Sequence, residues 1–235
     1  MTISRFSEEA ASWDSNPFIH AATANAKTAI LSRLGPSLSS LDILDLGCGT
    51  GLLSLALSSS VRSVTSIDAA QGMVDVLSSK LEAPDAPKNI RAVCILLENP
   101  NDPILSTDPV TGAQEPQAKK FDLVVSHLVL HHIPDLSAFL KTIHGVLKPG
   151  GQVMLTDFED FGPEARRFHP ESKMDGVERH GIKRTEIEGV LKDAGFQDTK
   201  VETAFEMEKA VESEPGKGDG THLMNFPFLI CQARK

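Results

Sequence analysis

Residues 43–51 read Ile-Leu-Asp-Leu-Gly-Cys-Gly-Thr-Gly, and no other stretch of the chain constrains the fold as tightly. Ile43, Leu44 and Leu46 form the short apolar run of a strand buried on both faces of a parallel sheet. Gly47, Gly49 and Gly51, at alternate positions, let the backbone turn sharply and approach a ligand without side-chain interference. A helix is predicted from Leu52 to Ser58, so the loop ends at a helix N-terminus. Asp45, at the strand end, offers an acceptor to a cationic group. A glycine loop paired with a carboxylate suits a ligand carrying an ammonium better than one carrying a pyrophosphate.

The next strand, Val64 to Ile67, ends in Asp68. In doubly wound nucleotide-binding folds an acidic residue about 20 positions past the glycine loop accepts hydrogen bonds from ribose hydroxyls. The register G-x-G-x-G differs from the dinucleotide fingerprint G-x-G-x-x-G. Phe121 to Ser126 reads as a fourth buried strand whose carboxyl end faces a ligand crevice. His127 and the Leu128–Pro134 loop follow, then a helix carrying Leu136, Phe139, Leu140, Ile143 and Leu147, capped by Asp135. Lys148-Pro149-Gly150-Gly151 ends that helix, and Val153 to Leu155 begins a fifth strand.

The glycine loop resembles motif I of the class I S-adenosylmethionine-dependent methyltransferases. The run FDLVVSHLVLHHIPDLSAFLKTIHGVLKPGGQVMLTD is similar to motifs IV to VI of the type 11-like small-molecule methyltransferases, a group that includes ubiquinone-pathway enzymes. The resemblance implies one Rossmann-like α/β domain over residues 1–235. Its sheet would be doubly wound, seven-stranded and mostly parallel, with helices on both faces and the final strand antiparallel beside the fifth. It implies S-adenosylmethionine as cofactor, S-adenosylhomocysteine as product, and in-line displacement onto a small-molecule acceptor. Cofactor contacts fall on Asp45, Gly47, Cys48, Gly49, Gly51, Asp68, Ala69, Met73, Leu97, Glu98 and Ser126. For the adenine, Glu98 as acceptor and Leu97 as a packing surface are alternatives. The sulfonium is an activated leaving group, so the protein's tasks are alignment, exclusion of water and removal of a proton where the nucleophile carries one. Histidine suits the last task. His127 and His131 are the candidates beside the methyl, and His180 the candidate facing the acceptor.

Composition agrees. At 235 residues and 40% apolar the chain can build one sizeable core, and a net charge of −9 weighs against a nucleic-acid partner. Cys48, Cys94 and Cys231 are isolated, which argues against a disulfide framework or a zinc knuckle. Neither a signal peptide nor a membrane span is evident, and a cytoplasmic location is the expectation. The oligomeric state is left open.

Residues 1–40 read as a helical N-terminal cover, with Ser7 as a cap and Trp13 either closing on the cofactor or packing a helix. Residues 99–120, with four prolines, read as a polar surface insertion open to disorder, with a functional lid as the sharper alternative that composition disfavours. Residues 158–183 read as a substrate cover combining Phe161 and Phe168 with Arg166, Arg167, His169, Arg179 and His180. A helix follows, with Thr185 and Glu188 at capping-box spacing and Gly195 as terminator. Phe196 to Phe205 and Phe226 to Cys231 are the last strands, joined by the glycine-rich stretch from Pro215 to Thr221.

His127 and His131 are four apart, but Pro134 and the missing H-E-x-x-H glutamate weigh against a metal, and none is expected. The [D/N]-P-P-[Y/F] signature is replaced by Ser126-His127-Leu128-Val129, which demotes DNA adenine and amide acceptors. A Pro-Cys nucleophile is also absent. With eleven Phe, one Trp and no Tyr, no aromatic cage for a quaternary ammonium is expected. O-, N-, S- and C-methylation stay open. The competing functions are a nicotinamide-dependent oxidoreductase, disfavoured by the glycine register, and a catalytically inactive S-adenosylmethionine-binding regulator.

Overall fold

The computed structural model describes residues 2–213 and 221–235, and α-helices join its first five strands except between the third and the fourth. The order is α1 (Thr2–Trp13), α2 (Pro17–Leu31), β1 (Asp42–Leu46), α3 (Leu52–Ser58), β2 (Ser63–Asp68), α4 (Gln71–Leu81), β3 (Ile90–Cys94) and β4 (Phe121–His127). It continues with α5 (Leu136–Val146), β5 (Leu147–Phe158), α6 (Arg184–Asp193), β6 (Gln197–Glu212) and β7 (Thr221–Arg234). The seven strands form one sheet in the order β3-β2-β1-β4-β5-β7-β6. β1 to β5 are mutually parallel, and β7 runs antiparallel between β5 and β6. The order reverses between β1 and β4, so the crevice at their carboxyl ends is where a doubly wound sheet takes its ligand.

Strand alternation assigns each residue to a layer. Leu44, Val124, Val153 and Leu155 pack with Leu140 and Ile143 of α5 and Ile187 and Leu191 of α6. Ile43, Leu123, Val125 and Met154 pack with Ile30 of α2 and Leu53 and Leu57 of α3. Every residue of β1 is buried, as the apolar run requires. Among the described residues no helix is long and apolar enough to cross a membrane.

Several sequence expectations need correction. Ser7 is no cap: it lies inside α1, and its hydroxyl accepts the Gly72 N–H at 3.2 Å. Residues 99–120 are ordered. Leu105 is buried in the main core, and Asp108 accepts from both Arg62 (2.9 Å) and Lys119 (3.1 Å), each of which also pairs with Asp42. Burying a leucine stabilises by about 2 kcal/mol, which a solvated polar loop would forgo. The Thr185–Glu188 capping box does not form either. Ile182 bridges into β5 through Phe158 and Asp160, so α6 starts at Arg184 after Lys183. Gly195 does end α6, in the left-handed conformation at φ +97°.

The last two strands run well beyond the apolar segments that announce them. Charged residues interrupt the hydrophobic run of β6, yet Phe205, Met207 and Val211 alternate inward onto Phe226 and Phe228 of β7. The expected loop between the strands lies, apart from Thr221, outside the described residues.

Candidate functional site

The glycine loop folds over the end of β2. Gly47 and Cys48 donate their N–H groups to the Ile67 carbonyl (2.8 and 3.0 Å), and Gly49 donates to Asp68 Oδ2 (2.8 Å). Asp68 Oδ1 accepts the Ala70 N–H at 2.8 Å, so this carboxylate shapes the loop as well as facing the crevice. The three glycines differ in role, although all have positive φ. A Cβ on Gly47 would meet Val129 Cγ2 at 2.4 Å, and one on Gly51 would meet Leu77 Cδ1 at 2.3 Å. Only at Gly49 is the space open, with Met73 Sδ 3.9 Å away.

This loop forms one end of a cavity of about 600 Å³. Asp45, Gly47, Cys48, Gly49, Asp68, Ala69, Met73 and Leu97 line it, as the sequence expectation has them. Three others do not. Gly51 is filled over by Leu77. The Ser126 hydroxyl is buried against the Leu46 carbonyl (2.7 Å), tying β4 to β1. Glu98 is exposed while its carbonyl accepts from Thr142, and Leu97 is the residue buried instead.

The acid–base chemistry of this end is set by burial. Burial pushes the Asp45 carboxyl up to about 7; Asp68 adds to the shift and the Ser54 hydroxyl, 2.5 Å away, opposes it. Burial raises Asp68 as well, against its backbone hydrogen bonds. The buried Cys48 thiol is pushed well above its ordinary value by desolvation and the carboxylates of Asp45 and Asp68, which leaves it unreactive.

The other end is built by the loop after β4 and by the 158–183 segment. Leu128, at φ +58°, turns the chain sharply after β4. His127 and His131 line the cavity, with His132, Phe168, His169 and Lys209. His127 Nδ1 lies 2.8 Å from the Thr156 hydroxyl, and His131 Nδ1 lies 2.8 and 2.9 Å from the two oxygens of buried Asp157. The Nε2 atoms of both histidines are buried without a partner. His132 Nδ1 meets the Gly176 carbonyl at 2.7 Å. Desolvation holds His127 and His132 down to about 4 and His169 to about 2, so all three are neutral at physiological pH.

His180 does not reach the cavity, contrary to expectation; its Nδ1 is buried with no partner. Ile182 pairs beside β5 and holds this part of the segment against the sheet. Arg166 and Arg167 pair with Glu171 and Glu164, and Arg179 donates to the carbonyls of Leu130 and Ile133, so these cations are structural.

Sequence reasoning passed over Asp157 and Lys209 as site residues, while His169 lies in the segment it read as the substrate cover. Asp157 carried a signal: a carboxylate inside the apolar end of β5 demands a buried partner. Lys209 carried another, as the charged residue among the inward positions Phe205, Met207 and Val211.

The N-terminal helices cover the opening. Phe6 and Trp13 line the cavity and meet edge to face, with ring centroids 5.8 Å apart.

A family profile described as a methyltransferase domain matches residues 18–201. An uncharacterized methyltransferase of Schizosaccharomyces pombe is 35% identical over 147 residues, which are 61% of this chain and 48% of that protein. A ubiquinone biosynthesis O-methyltransferase of Coxiella burnetii is 32% identical over 114 residues, covering 48% of this chain and 42% of that protein. The chain thus spans about half the length of the curated relatives it matches. The solved Bacillus subtilis YcgJ protein superposes with a TM-score of 0.67 at 15% identity, over 90% of this chain and 98% of that one. Haemonchus contortus phosphoethanolamine N-methyltransferase 2, solved with S-adenosyl-L-methionine, gives 0.61 at 20% identity, over 90% of this chain and 52% of that one. At such identities these two establish the shared fold.

Proposed function

The chain belongs to the methyltransferase-domain family, whose methyl donor is S-adenosylmethionine, and on that premise we propose that it methylates a small, largely apolar acceptor carrying an acidic group. The observation that supports this reading is the continuity of one cavity, with the glycine loop and Asp68 at one end and His127, Phe168 and Lys209 at the other. The residues at the first end fit the donor. Asp68 spends one lone pair of each oxygen on the backbone and keeps others for ribose hydroxyls. The open face of Gly49 would accept close approach, and Met73 and Leu97, which line this end, would supply apolar surface for the adenine.

Bound there, the donor supplies a methyl on an activated sulfonium. The protein aligns the acceptor, keeps water out with Phe6 and Trp13, and takes up a proton. His127 Nε2 is the atom for the last task. The Thr156 hydroxyl points to the Ser126 carbonyl (3.5 Å), so it accepts from His127 Nδ1–H and leaves the Nε2 lone pair free. Lys209 lies 5.4 Å over the Phe18 ring and 5.1 Å over the Phe168 ring and has no carboxylate partner among the described residues. A partly buried, unpaired cation selects an acid on the acceptor. The name of the Coxiella relative favours oxygen as the methylated atom.

The test is formation of S-adenosylhomocysteine from a metabolite panel in which each acid is paired with its neutral ester or amide. We expect turnover of an acid, a raised KM for it in Lys209→Met, and an unchanged S-adenosylmethionine Kd. Preference for the neutral partner would overturn the acceptor assignment.

A further inference from the structure

Three imidazoles meet at the acceptor end. One ring nitrogen each from His131, His132 and His169 lies within 4.8 Å of the others, and the ring centroids of His131 stand 3.9 Å from His132 and 5.0 Å from His169. Two of the rings are already oriented as metal ligands are. His131 gives Nδ1 to the Asp157 carboxylate and His132 gives Nδ1 to the Gly176 carbonyl, so each keeps Nε2 for a ligand. A carboxylate or carbonyl on the far nitrogen is the usual support of a metal-bound histidine, fixing its tautomer and raising its basicity. His131 Nε2 is buried and unpartnered, a cost the protein recovers when a Lewis acid occupies that lone pair.

From this arrangement we propose that His131, His132 and His169 form a binding site for one divalent transition-metal ion of the zinc type, open to the cavity at its remaining position. A set of three imidazoles is the donor set of open, reactive zinc sites, whereas magnesium and calcium require oxygen. Zinc–nitrogen bonds of about 2.0–2.1 Å place tetrahedral ligand atoms about 3.4 Å apart, so the rings must close by little more than 1 Å. His169 has no hydrogen bond among the described residues, so closing the set breaks none at that ring, which packs against Phe158 and Phe168. Lys209 and Arg5 stand near His169 and oppose a cation, while Asp157 favours it. The net field therefore suits an ion that retains an anionic fourth ligand, such as hydroxide. The inference concerns these side chains alone and does not depend on the methyl-transfer reading.

The experiment uses tag-free full chain stripped with a chelator, titrated with Zn²⁺ by calorimetry and with Co²⁺ by visible absorption. One ion per chain and the intense visible bands of four-coordinate cobalt are expected. His169→Ala and His132→Ala should each weaken Zn²⁺ at least about a hundredfold and Asp157→Asn about ten- to a hundredfold, with S-adenosylmethionine binding retained in His169→Ala as the check on folding. His180→Ala, whose ring lies off the cavity, should bind Zn²⁺ like the parent. Absence of stoichiometric Zn²⁺ binding, or unchanged affinity in His169→Ala, would overturn the site.

Discussion

Asp14, in the turn between α1 and α2, accepts the hydroxyl of Thr50 in the glycine loop at 2.5 Å. Its second oxygen pairs with Lys80 at 2.5 Å, and Lys80 in turn donates to the Thr50 carbonyl at 2.7 Å. The helical cover is therefore fastened to the loop it closes over. Nearby, α1 and α4 touch so closely that a Cβ on Gly72 would lie 2.4 Å from the Ser7 carbonyl oxygen. Asp14→Ala should loosen the cover, weaken S-adenosylmethionine about tenfold through the lost charged hydrogen bond, and expose the first helices to protease. Calorimetry and limited proteolysis read the two effects; unchanged values in both would show that the fastening is idle.

The glycine loop separates stability from binding. Gly51→Ala puts a methyl group into Leu77 at positive φ, so it should lower Tm and cost about 2 kcal/mol or more. Gly49→Ala meets nothing closer than 3.9 Å, so its folding cost is confined to the backbone conformation. Its methyl group points into the cavity end where the cofactor is proposed to lie, and it should weaken S-adenosylmethionine more than Gly51→Ala does. Thermal melts and binding isotherms on both variants would reveal a reversed order.

Asp68→Ala should weaken S-adenosylmethionine about ten- to a hundredfold through lost charge-assisted bonds to ribose. Because Asp68 also holds the N–H groups of Gly49 and Ala70, a stability loss should accompany it. Asp68→Asn, which preserves one acceptor oxygen, should recover part of the stability without the full affinity. Wild-type affinity in Asp68→Ala would remove the residue from the cofactor site.

Legibility followed the local character of each signal. The glycine loop, β1, Asp68 and the β4–α5 junction are written in contiguous residues, where apolar period, turn chemistry and a cap agree. The acceptor end was harder, because it is assembled from β4, β5, β6 and the 158–183 segment. Charge in that segment looked like a pocket lining, yet Arg166, Arg167 and Arg179 spend their donors on carboxylates and carbonyls. His180 had the right residue type in the right stretch, yet the pairing of Ile182 beside β5 holds that part of the segment against the sheet. Composition also misjudged residues 99–120, since one buried leucine and the paired Asp108 anchor a stretch that is otherwise polar.

Arg179 and His180, adjacent in sequence, should give opposite results. Arg179→Ala removes the guanidinium that clamps the Leu130 and Ile133 carbonyls, leaving Leu130 only the Ile133 N–H, so the histidine loop should loosen. Turnover should fall about tenfold or more as the aligned geometry is lost, with little change in S-adenosylmethionine affinity. His180→Ala should leave turnover within about twofold of the parent, as expected for a residue off the cavity. Equal losses in the two variants would return His180 to the site.

Asp45 should make cofactor binding dependent on pH. Its folded-state pKa of about 7 lies above the ordinary value of 3.8, chiefly through burial. The folded protein thus binds a proton that the unfolded chain releases between these values. The contribution of Asp45 to stability is complete below about pH 4 and is lost as pH rises through about 7. S-adenosylmethionine brings an ammonium and a sulfonium, both of which favour the ionised carboxylate. Binding below the pKa should therefore expel the proton, and affinity should rise by up to about tenfold per pH unit until it levels above about pH 7. Asp45→Asn supplies the reference, because the ligand's own amino group titrates equally against both proteins. Isotherms at pH 6 and pH 8, in buffers of different ionisation enthalpy, measure the slope and the protons released. If the variant keeps the parent's slope and proton release, the titrating group is elsewhere in the site.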